Sequence, residues 1–237
     1  MESLSLPGVN FRFQGPYSEP PLVILAGGRR PSLRWMRQFL PGKEIWCADS
    51  GLVACLRSGF FPSRLIGDGD STPPELWAWA VERGATVSRH PREKDLTDLQ
   101  LAFFAAAEER PGRPVVVAGC WGGRFDHLWA NVFSVLWAED RGTRVLAFAD
   151  HREAMFFLHG GEGVELEIRA RCETVLSLLS LSEACSGVAV RNVRWEMDNA
   201  TLRQDRPYTV SNRQEGRDSR PSISLRSGHL AVYCGWI

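Results

Sequence analysis

Short runs of wholly apolar residues, each closed by a proline or glycine turn, recur through the first part of this 237-residue chain. Residues 22–26 (LVILA) lie between Pro21 and Gly27-Gly28, and Val115–Ala118 has the same character. Runs without polar alternation are typical of strands that are buried on both faces, as in parallel sheets. Helical patterns separate them, so the sequence predicts an α/β domain with a doubly wound parallel sheet over residues 1–152. The Gly27-Gly28 pair is either a phosphate cradle or a simple tight turn.

The pattern changes near residue 152, where helical periodicity disappears. Short β-rich runs separated by turn residues follow, at 155–158, 164–168, 174–181, 188–193, 208–210, 223–225 and 230–233. This spacing predicts an antiparallel β-sandwich domain over residues 153–237. Residues 1–20 are rich in proline and glycine, and we interpret them as an irregular arm of the first domain with one short strand at Val9–Phe13.

The composition excludes several classes of function. The net charge is zero, which gives no electrostatic case for binding nucleic acid or an anionic membrane. The six cysteines are scattered without a C-x-x-C pair or zinc-ligand spacing, and are typical of reduced thiols in a cytoplasmic protein. The sequence contains no evident signal peptide and no apolar stretch of about 18 residues, so we expect no membrane association.

Four carboxylates stand where apolar runs give way to polar residues. Asp68 and Asp70 follow a short strand, and alternate residues of an extended chain point the same way. Asp95 and Asp98 are three apart at the start of a helical pattern, which makes them surface neighbours. Convergent carboxylates repel one another unless a cation lies between them, and their hard oxygens suit Mg²⁺ with substrate phosphates. In the alternative interpretation these residues only form a turn or, with Thr97, cap a helix.

A third motif, residues 122–127 (GGRFDH), lies between a predicted buried strand and a helix. Gly122 and Gly123 allow a backbone nest for anionic oxygens, and Arg124 can grip a phosphate through two hydrogen bonds. Asp126 either contributes to a ligand site or stabilises the helix dipole. His127 either contacts a ligand or hydrogen-bonds a neighbouring loop.

Together these motifs resemble the thiamin pyrophosphokinase family over most of the chain. The resemblance rests on residues 48–51 (ADSG), 67–71 (GDGDS), 94–98 (KDLTD), 122–127 with Asn131, and, in the second half, on residues 195–197 (WEM), Leu202 and Ser211-Asn212. Three positions depart from the usual family pattern: Ser50, Gly69 and Arg213. The catalytic half matches better than the acceptor half.

The resemblance implies a specific reaction. Family members transfer the pyrophosphoryl group of ATP to the hydroxyethyl oxygen of thiamin, use Mg²⁺, and form homodimers with the active site between two subunits. By this match the metal and catalytic residues are Asp68, Asp70, Asp95 and Asp98. The implied nucleotide-binding residues are Asp49, Lys94, Thr97, Gly122, Gly123, Arg124, Asp126, His127 and Asn131, and the implied thiamin-binding residues are Trp195, Ser211 and Asn212.

Elementary chemistry is consistent with these roles. Attack on the β-phosphorus requires that the flanking phosphates be neutralised, by metal together with Lys94 and Arg124. Asp70 or Asp98 can accept the proton of the alcohol. Trp195 is either a partner for the thiamin cation or an ordinary core aromatic.

Three alternatives remain open on the sequence. A hydroxymethylpterin diphosphokinase would share the aspartate and glycine motifs but not the second-half residues. A nucleotide-binding regulatory protein that has lost catalysis is disfavoured by the retained carboxylates. A dinucleotide-binding enzyme is disfavoured because no G-x-G-x-x-G follows the first strand.

Overall fold

The computed structural model describes residues 2–13, 19–161, 165–216 and 218–236. These residues divide into two compact units. Residues 19–151 form the first unit, and residues 2–13 with 152–236 form the second. No helix within these described ranges is long and apolar enough to cross a membrane.

The elements of the N-terminal half are strands and helices in alternation. After an initial pair of strands, β1 (Glu2–Leu6) and β2 (Val9–Phe13), they are β3 (Leu22–Leu25), α1 (Leu33–Phe39), β4 (Ile45–Ala48), α2 (Gly51–Arg57), β5 (Arg64–Gly67), α3 (Pro74–Glu82), β6 (Thr86–Arg89), α4 (Asp98–Glu109), β7 (Val115–Ala118), α5 (Phe125–Asp140) and β8 (Val145–Ala149). The predicted α/β fold class is confirmed.

The first unit contains a parallel sheet with the strand order β8-β7-β3-β4-β5-β6. Every residue of β3, β4, β7 and β8 is buried, as their uninterrupted apolar sequences predict. From β3 the chain builds outward to β6, then returns to add β7 and β8 on the other side. The order therefore reverses at β3, and the loops that follow β3, β4, β5 and β7 lie at one edge of the sheet.

Helix starts follow short-range signals in the sequence. The Ser32 hydroxyl accepts a hydrogen bond from the Trp35 amide at 3.3 Å, so Ser32 is the N-cap of α1. α4 begins at Asp98 and not at Asp95, where the sequence analysis placed it. The reason is a capping box, in which Thr97 and Gln100 each accept a hydrogen bond from the other's backbone amide.

The second unit consists of antiparallel strands. Its remaining elements are β9 (Glu153–His159), β10 (Glu165–Ala170), β11 (Thr174–Ser180), β12 (Ala184–Arg191), β13 (Met197–Arg203), β14 (Asn212–Arg213), β15 (Ser222–Ser224) and β16 (His229–Trp236). One layer has the order β1-β2-β10-β15-β12-β13, and the other has β14-β11-β16-β9. Phe11 and Phe13 of the first layer contact Phe156 of the second, with ring centroids 5.2 and 5.0 Å apart. The predicted sandwich is confirmed.

The N-terminal segment differs from the prediction. The strand expected at Val9–Phe13 is present, but it pairs with β1 and β10 and so belongs to the second unit. Its apolar residues alternate, and Val9, Phe11 and Phe13 are buried while the residues between them are not. This period of two fits one face of a sandwich layer rather than a parallel sheet buried on both faces. The first residue of the strand predicted at 164–168, Val164, lies outside the described residues.

Candidate active site

A cleft of about 580 Å³ opens at the C-terminal edge of the parallel sheet. Its walls are the loops after β3, β4, β5 and β7, the segment that leads into α4, and the first turns of α5. β3 pairs with β4 on one side and with β7 on the other, so the cleft lies where the strand order reverses. Open α/β sheets bind their ligands at this position.

Glycines allow the loop that follows β3 and the loop that follows β7 to approach closely. The Gly28 amide donates a hydrogen bond to the Gly119 carbonyl at 2.6 Å. A β-carbon on Gly28 would lie 2.6 Å from the carbonyl oxygens of both Gly119 and Trp121, so only glycine fits. Gly122 and Gly123 follow with φ angles of 73° and 70°. Glycine turns of this kind expose backbone N–H groups that can hold phosphate oxygens.

Carboxylates crowd the opposite wall of the same cleft. Oxygens of Asp49, Asp68 and Asp70 lie within 4.8 Å of one another. Asp49 follows β4 in a left-handed conformation with φ of 47°, and its amide donates to the Ile66 carbonyl at 2.9 Å. The Ser71 hydroxyl donates to Asp49 Oδ2. Asp49 Oδ1 is buried and has no hydrogen-bond partner among the described residues.

Two cations lie against these carboxylates. Lys94 Nζ is 3.1 Å from Asp98 Oδ1 and 3.3 Å from Asp68 Oδ2. Arg92 Nε is 3.1 Å from Asp70 Oδ2. Four carboxylates, counting Asp49, thus face two cations, and this wall of the cleft retains an excess of negative charge.

The pKa values reflect this crowding. Burial, reinforced by the neighbouring carboxylates, raises the pKa of Asp49 and of Asp98. The backbone N–H of Asp70 and the ammonium of Lys94 lower the pKa of Asp68. Burial acts to lower the pKa of Lys94, but Asp98 and Asp68 outweigh it and raise that pKa. A proton or an added cation would therefore relieve the repulsion at Asp49 and Asp98.

These residues suit a hard divalent cation. The three clustered carboxylates offer oxygen ligands from two neighbouring loops, and Asp49 Oδ1 is buried without a hydrogen bond. Mg²⁺ is bound in proteins by one or two carboxylates together with substrate phosphates. The donor set therefore fits Mg²⁺ bound with a nucleotide.

The structure does not bring Asp95 into the cleft. Asp95 is exposed in the segment before α4, and the cleft is lined instead by its neighbours Lys94, Leu96, Thr97 and Asp98. The four residues that meet are Asp49, Asp68, Asp70 and Asp98, so Asp49 stands where the sequence match gave Asp95. Asp49 carried a weaker signal because it is a single carboxylate in a turn.

The start of α5 contributes a polar rim. Arg124, His127 and Asn131 line the cleft, whereas Asp126 does not. Arg124 is exposed and forms a two-point ion pair with Asp126, which lowers the pKa of that carboxyl. The Asn131 amide lies 3.5 Å from the Cys120 carbonyl and so spans the glycine loop. In this structure Arg124, which the sequence predicted to bind phosphate, is paired with Asp126.

The second unit carries a separate, largely apolar pocket of about 350 Å³. Trp195 and Tyr208 line it, and Trp195 is 54% exposed, so Trp195 is not a core residue. Its other walls are formed by Leu176, Leu178, Val190, Glu196, Met197, Thr209, Val210, Asn212 and Ile223. The pocket therefore combines exposed aromatic faces with an aliphatic floor.

Asn212 fixes the backbone of Trp195. Its Oδ1 accepts from the Trp195 amide at 3.2 Å, and its Nδ2 donates to the Trp195 carbonyl at 2.8 Å. Ser211 does not line the pocket. It is exposed, adopts a φ of 63°, and donates its amide to the Ser177 hydroxyl at 3.1 Å. Ser211 thus shapes the turn that presents Asn212.

Several lining residues were not predicted from the sequence. Arg92 and Ser71 border the acidic wall, and their proximity to Lys94 and Asp70 along the chain was the available signal. Tyr208 and Val210 lie in a segment that the sequence marked only as β-rich. No short-range pattern links them to Trp195, because distant parts of the chain bring them together.

Two models of known protein families match this chain. The family model described as the thiamin pyrophosphokinase catalytic domain matches residues 40–147. The model described as the thiamin pyrophosphokinase vitamin B1 binding domain matches residues 164–230. The first match contains the acidic wall and the glycine loop, and the second contains the apolar pocket.

Individual relatives have about a quarter of their residues identical to this chain and cover most of it. A thiamine pyrophosphokinase of Bacillus subtilis (strain 168) is 24% identical over 210 residues, which are 88% of this chain and 95% of the relative. Thiamine pyrophosphokinase 1 of Oryza sativa subsp. japonica is 25% identical over 196 residues, covering 80% and 70% of the two chains. Among solved structures, thiamine pyrophosphokinase from Bacillus subtilis has a TM-score of 0.78 at 21% identity, covering 92% of this chain and 100% of its own. Thiamin pyrophosphokinase from Candida albicans has a TM-score of 0.73 at 14% identity, with 97% and 99% covered, and shares the fold.

Proposed function

Because the chain belongs to the thiamin pyrophosphokinase family, we propose that it transfers the pyrophosphoryl group of ATP to the hydroxyethyl oxygen of thiamin and releases AMP. The observation that carries this proposal is the acidic wall opposite a glycine loop in one cleft. A pure binding module for phosphates has no need of four clustered carboxylates, which repel its ligand unless a cation is bound with it.

The carboxylates supply the metal ligands in this proposal. Asp49, Asp68 and Asp70 would hold Mg²⁺, whose charge would screen the triphosphate and polarise its oxygens. Lys94, fixed between Asp68 and Asp98, adds a positive charge to the same wall. The backbone N–H groups of the glycine loop would hold the phosphate oxygens on the opposite side.

Asp98 is the residue that we assign to proton transfer. Burial raises its pKa, which makes its carboxylate a stronger base than an ordinary aspartate. The thiamin oxygen would form a bond to the β-phosphorus while the bond from that phosphorus to the α-phosphate oxygen breaks. AMP leaves with the electron pair, and the hydroxyl proton passes to Asp98. Arg124 would turn from Asp126 to the phosphates and offset the charge on the leaving group.

The pocket of the second unit is the proposed thiamin site. Thiamin carries a fixed positive charge, and an exposed tryptophan face attracts such a cation by about 0.5–2 kcal/mol. Trp195 offers that face, and Asn212 holds its backbone in place. Ser211 is proposed only as a support for this turn, since its side chain lies outside the pocket lining.

One assay tests the reaction directly. The protein is incubated with ATP, Mg²⁺ and either thiamin or a hydroxymethylpterin, and AMP and diphosphorylated product are measured. We expect AMP and thiamin diphosphate in equal amounts with thiamin alone. AMP with the pterin alone would favour the pterin kinase alternative, and no AMP with either acceptor would favour the regulatory alternative.

A homodimer with each active site shared by two subunits is the proposed assembly. Exposed aromatic residues support it: Phe125 and Trp129 follow one another at i and i+4 on α5, with Phe125 73% exposed. Exposed apolar patches of this kind mark interaction surfaces. The cytoplasm is the proposed compartment, which agrees with six free cysteines.

Complementation between variants tests the shared site. Asp98→Asn and Trp195→Ala are each purified and then mixed under conditions that exchange subunits. In a shared site the mixed dimer regains one intact site, so with thiamin well below its KM the mixture should be more active than the mean of the two variants measured alone. Failure to regain activity, or a monomer by light scattering, would refute this assembly while leaving the reaction itself in place.

A further inference from the structure

Arg92 lies at the acidic wall of the cleft and has no role in the proposed reaction so far. It is located in the loop between β6 and α4, two residues before Lys94, and lines the cleft. Its Nε lies 3.1 Å from Asp70 Oδ2, and its side chain is 81% exposed.

The two cations of this loop are held very differently. Lys94 is 15% exposed and contacts Asp68, Asp98 and the Pro91 carbonyl. Within the described part of the chain, the only ion pair of Arg92 is with Asp70. An exposed pair of this kind is weak. Lys94 is therefore a fixed charge, and Arg92 is an exchangeable one.

Arg92 and a bound cation compete for the same carboxylate. Asp70 belongs to the oxygen cluster within 4.8 Å that suits a divalent cation. A cation bound to Asp70 weakens the attraction between Asp70 and Arg92. The same ligand brings phosphate oxygens into the cleft, and a planar guanidinium binds such oxygens through paired hydrogen bonds.

We propose that Arg92 is a phosphate-binding residue that pairs with Asp70 in the free protein and moves to the phosphate chain when the metal–nucleotide complex binds. This inference rests on the proposed function, because it takes the ligand of the cleft to be a nucleoside triphosphate with a divalent cation. It adds a third cation, after Lys94 and Arg124, for a ligand that carries several negative charges.

Two binding measurements on Arg92→Ala test the exchange. Without nucleotide, Mn²⁺ is titrated and the free ion is followed by electron paramagnetic resonance. The Mn²⁺ dissociation constant should fall about two- to fivefold, because Asp70 loses its competing cation. With saturating Mg²⁺, a non-hydrolysable ATP analogue is titrated by calorimetry. Its dissociation constant should rise about tenfold, because a charged phosphate contact is lost. Opposite changes in the affinities for Mn²⁺ and for the nucleotide analogue are the result expected if Arg92 exchanges between Asp70 and phosphate.

Arg89→Ala is the matched control. Arg89 is an exposed arginine at the end of β6, outside the cleft lining, and its removal should leave both affinities unchanged. Arg92→Lys should fall between wild type and Arg92→Ala in the nucleotide titration. Changes in the same direction, or no change in either titration, would overturn the exchange. A wild-type protein that bound neither Mn²⁺ nor the analogue would instead overturn the proposed function.

Discussion

A carboxylate stands at each end of strand β4, and the two have opposite surroundings. Glu44 precedes the strand and accepts hydrogen bonds from Arg110 at 2.7 and 3.1 Å, from Arg113, and from the Trp46 indole at 2.9 Å. Burial acts against it, yet these donors lower its pKa to about 2. Asp49 follows the strand, has one oxygen without a hydrogen bond, and has a raised pKa.

This difference separates a structural end of the sheet from the end that carries the proposed active site, called here the functional end. Around Glu44 two arginines surround one carboxylate, so folding itself satisfies the charge. Around Asp49 carboxylates outnumber cations, so the charge remains unsatisfied until a ligand arrives. Crowding of like charges lowers the stability of the folded protein, and proteins retain it where function needs it. Substitutions at the two ends should therefore affect different properties.

The largest effect should come from Asp98→Asn at the functional end. Loss of the proposed base should lower kcat for AMP release by at least about a hundredfold. Stability should be equal or higher, because a half-buried charge is removed from a negative cluster. Assays of AMP release and of urea unfolding on the same preparation measure kcat and stability. Asp70→Asn should likewise abolish AMP release from a folded protein.

Asp95→Asn is the matched comparison for these variants. Asp95 lies in the same loop but is exposed and outside the cleft lining, so we expect less than about a threefold change in kcat. A loss as large as that of Asp98→Asn would restore Asp95 to the metal set that the sequence resemblance implied.

Close backbone contact at the functional end gives the next largest effect. Gly28→Ala would place a β-carbon 2.6 Å from two carbonyl oxygens that cannot rotate away, and should lower the free energy of unfolding by about 1–3 kcal/mol. Gly27→Ala meets only the Ser50 hydroxyl, at 2.3 Å, which can change rotamer. We expect it to cost under about 1 kcal/mol. Equal losses in urea unfolding would show that side-chain freedom at Ser50 does not matter.

The sequence predicted which sheet edge carries the clustered aspartates, but it did not predict the detailed geometry of that edge. Buried strands and the glycines and aspartates that follow them placed Asp68 and Asp70 correctly at one sheet edge. The position of Asp95 depended on the residue at which α4 begins. The capping hydrogen bonds between Thr97 and Gln100 set that residue, and the apolar periodicity did not. The position of Asp49 beside Asp68 and Asp70 depended on pairing between β4 and β5, which a single sequence does not specify.

The second unit shows the same limit in another form. Alternation at Val9, Phe11 and Phe13 predicted a strand. It did not predict that this strand pairs with β10, which lies more than 150 residues further along the chain. The pocket likewise collects residues from several separate strands and loops. Apolar residues have no distinguishing chemistry, so only the fold reveals that they share a wall.

The structural end should respond to Glu44→Gln with a smaller change. Charge is lost beside Arg110 and Arg113 while the side-chain shape is kept, so the free energy of unfolding should fall by about 1 kcal/mol. The kcat should stay within about twofold, because Glu44 lies at the opposite end of β4 from the cleft. If Glu44→Gln lowered kcat as much as Asp98→Asn does, the distinction between the two ends of β4 would be wrong.

The smallest effect is a difference in pH dependence between Asp49→Asn and Glu44→Gln, measured by urea unfolding without divalent cations. The raised pKa of Asp49 means that the folded state binds a proton more tightly than the unfolded state. Wild type therefore gains stability as pH falls from neutral through that raised pKa towards the ordinary value of 3.8.

Asparagine does not titrate and tolerates the left-handed φ of 47°, so Asp49→Asn should be slightly more stable than wild type at neutral pH and lose this advantage in that window. The pKa shift of Glu44 has the opposite sign, because its pKa is lowered in the folded protein. Its stabilising contribution is present above its ordinary pKa of 4.5 and is lost as pH falls towards about 2, so the deficit of Glu44→Gln should disappear there. If both variants were destabilised at neutral pH, the carboxylate at the functional end would be as well satisfied as the one at the structural end. The free protein would then have no electrostatic reason to bind a cation.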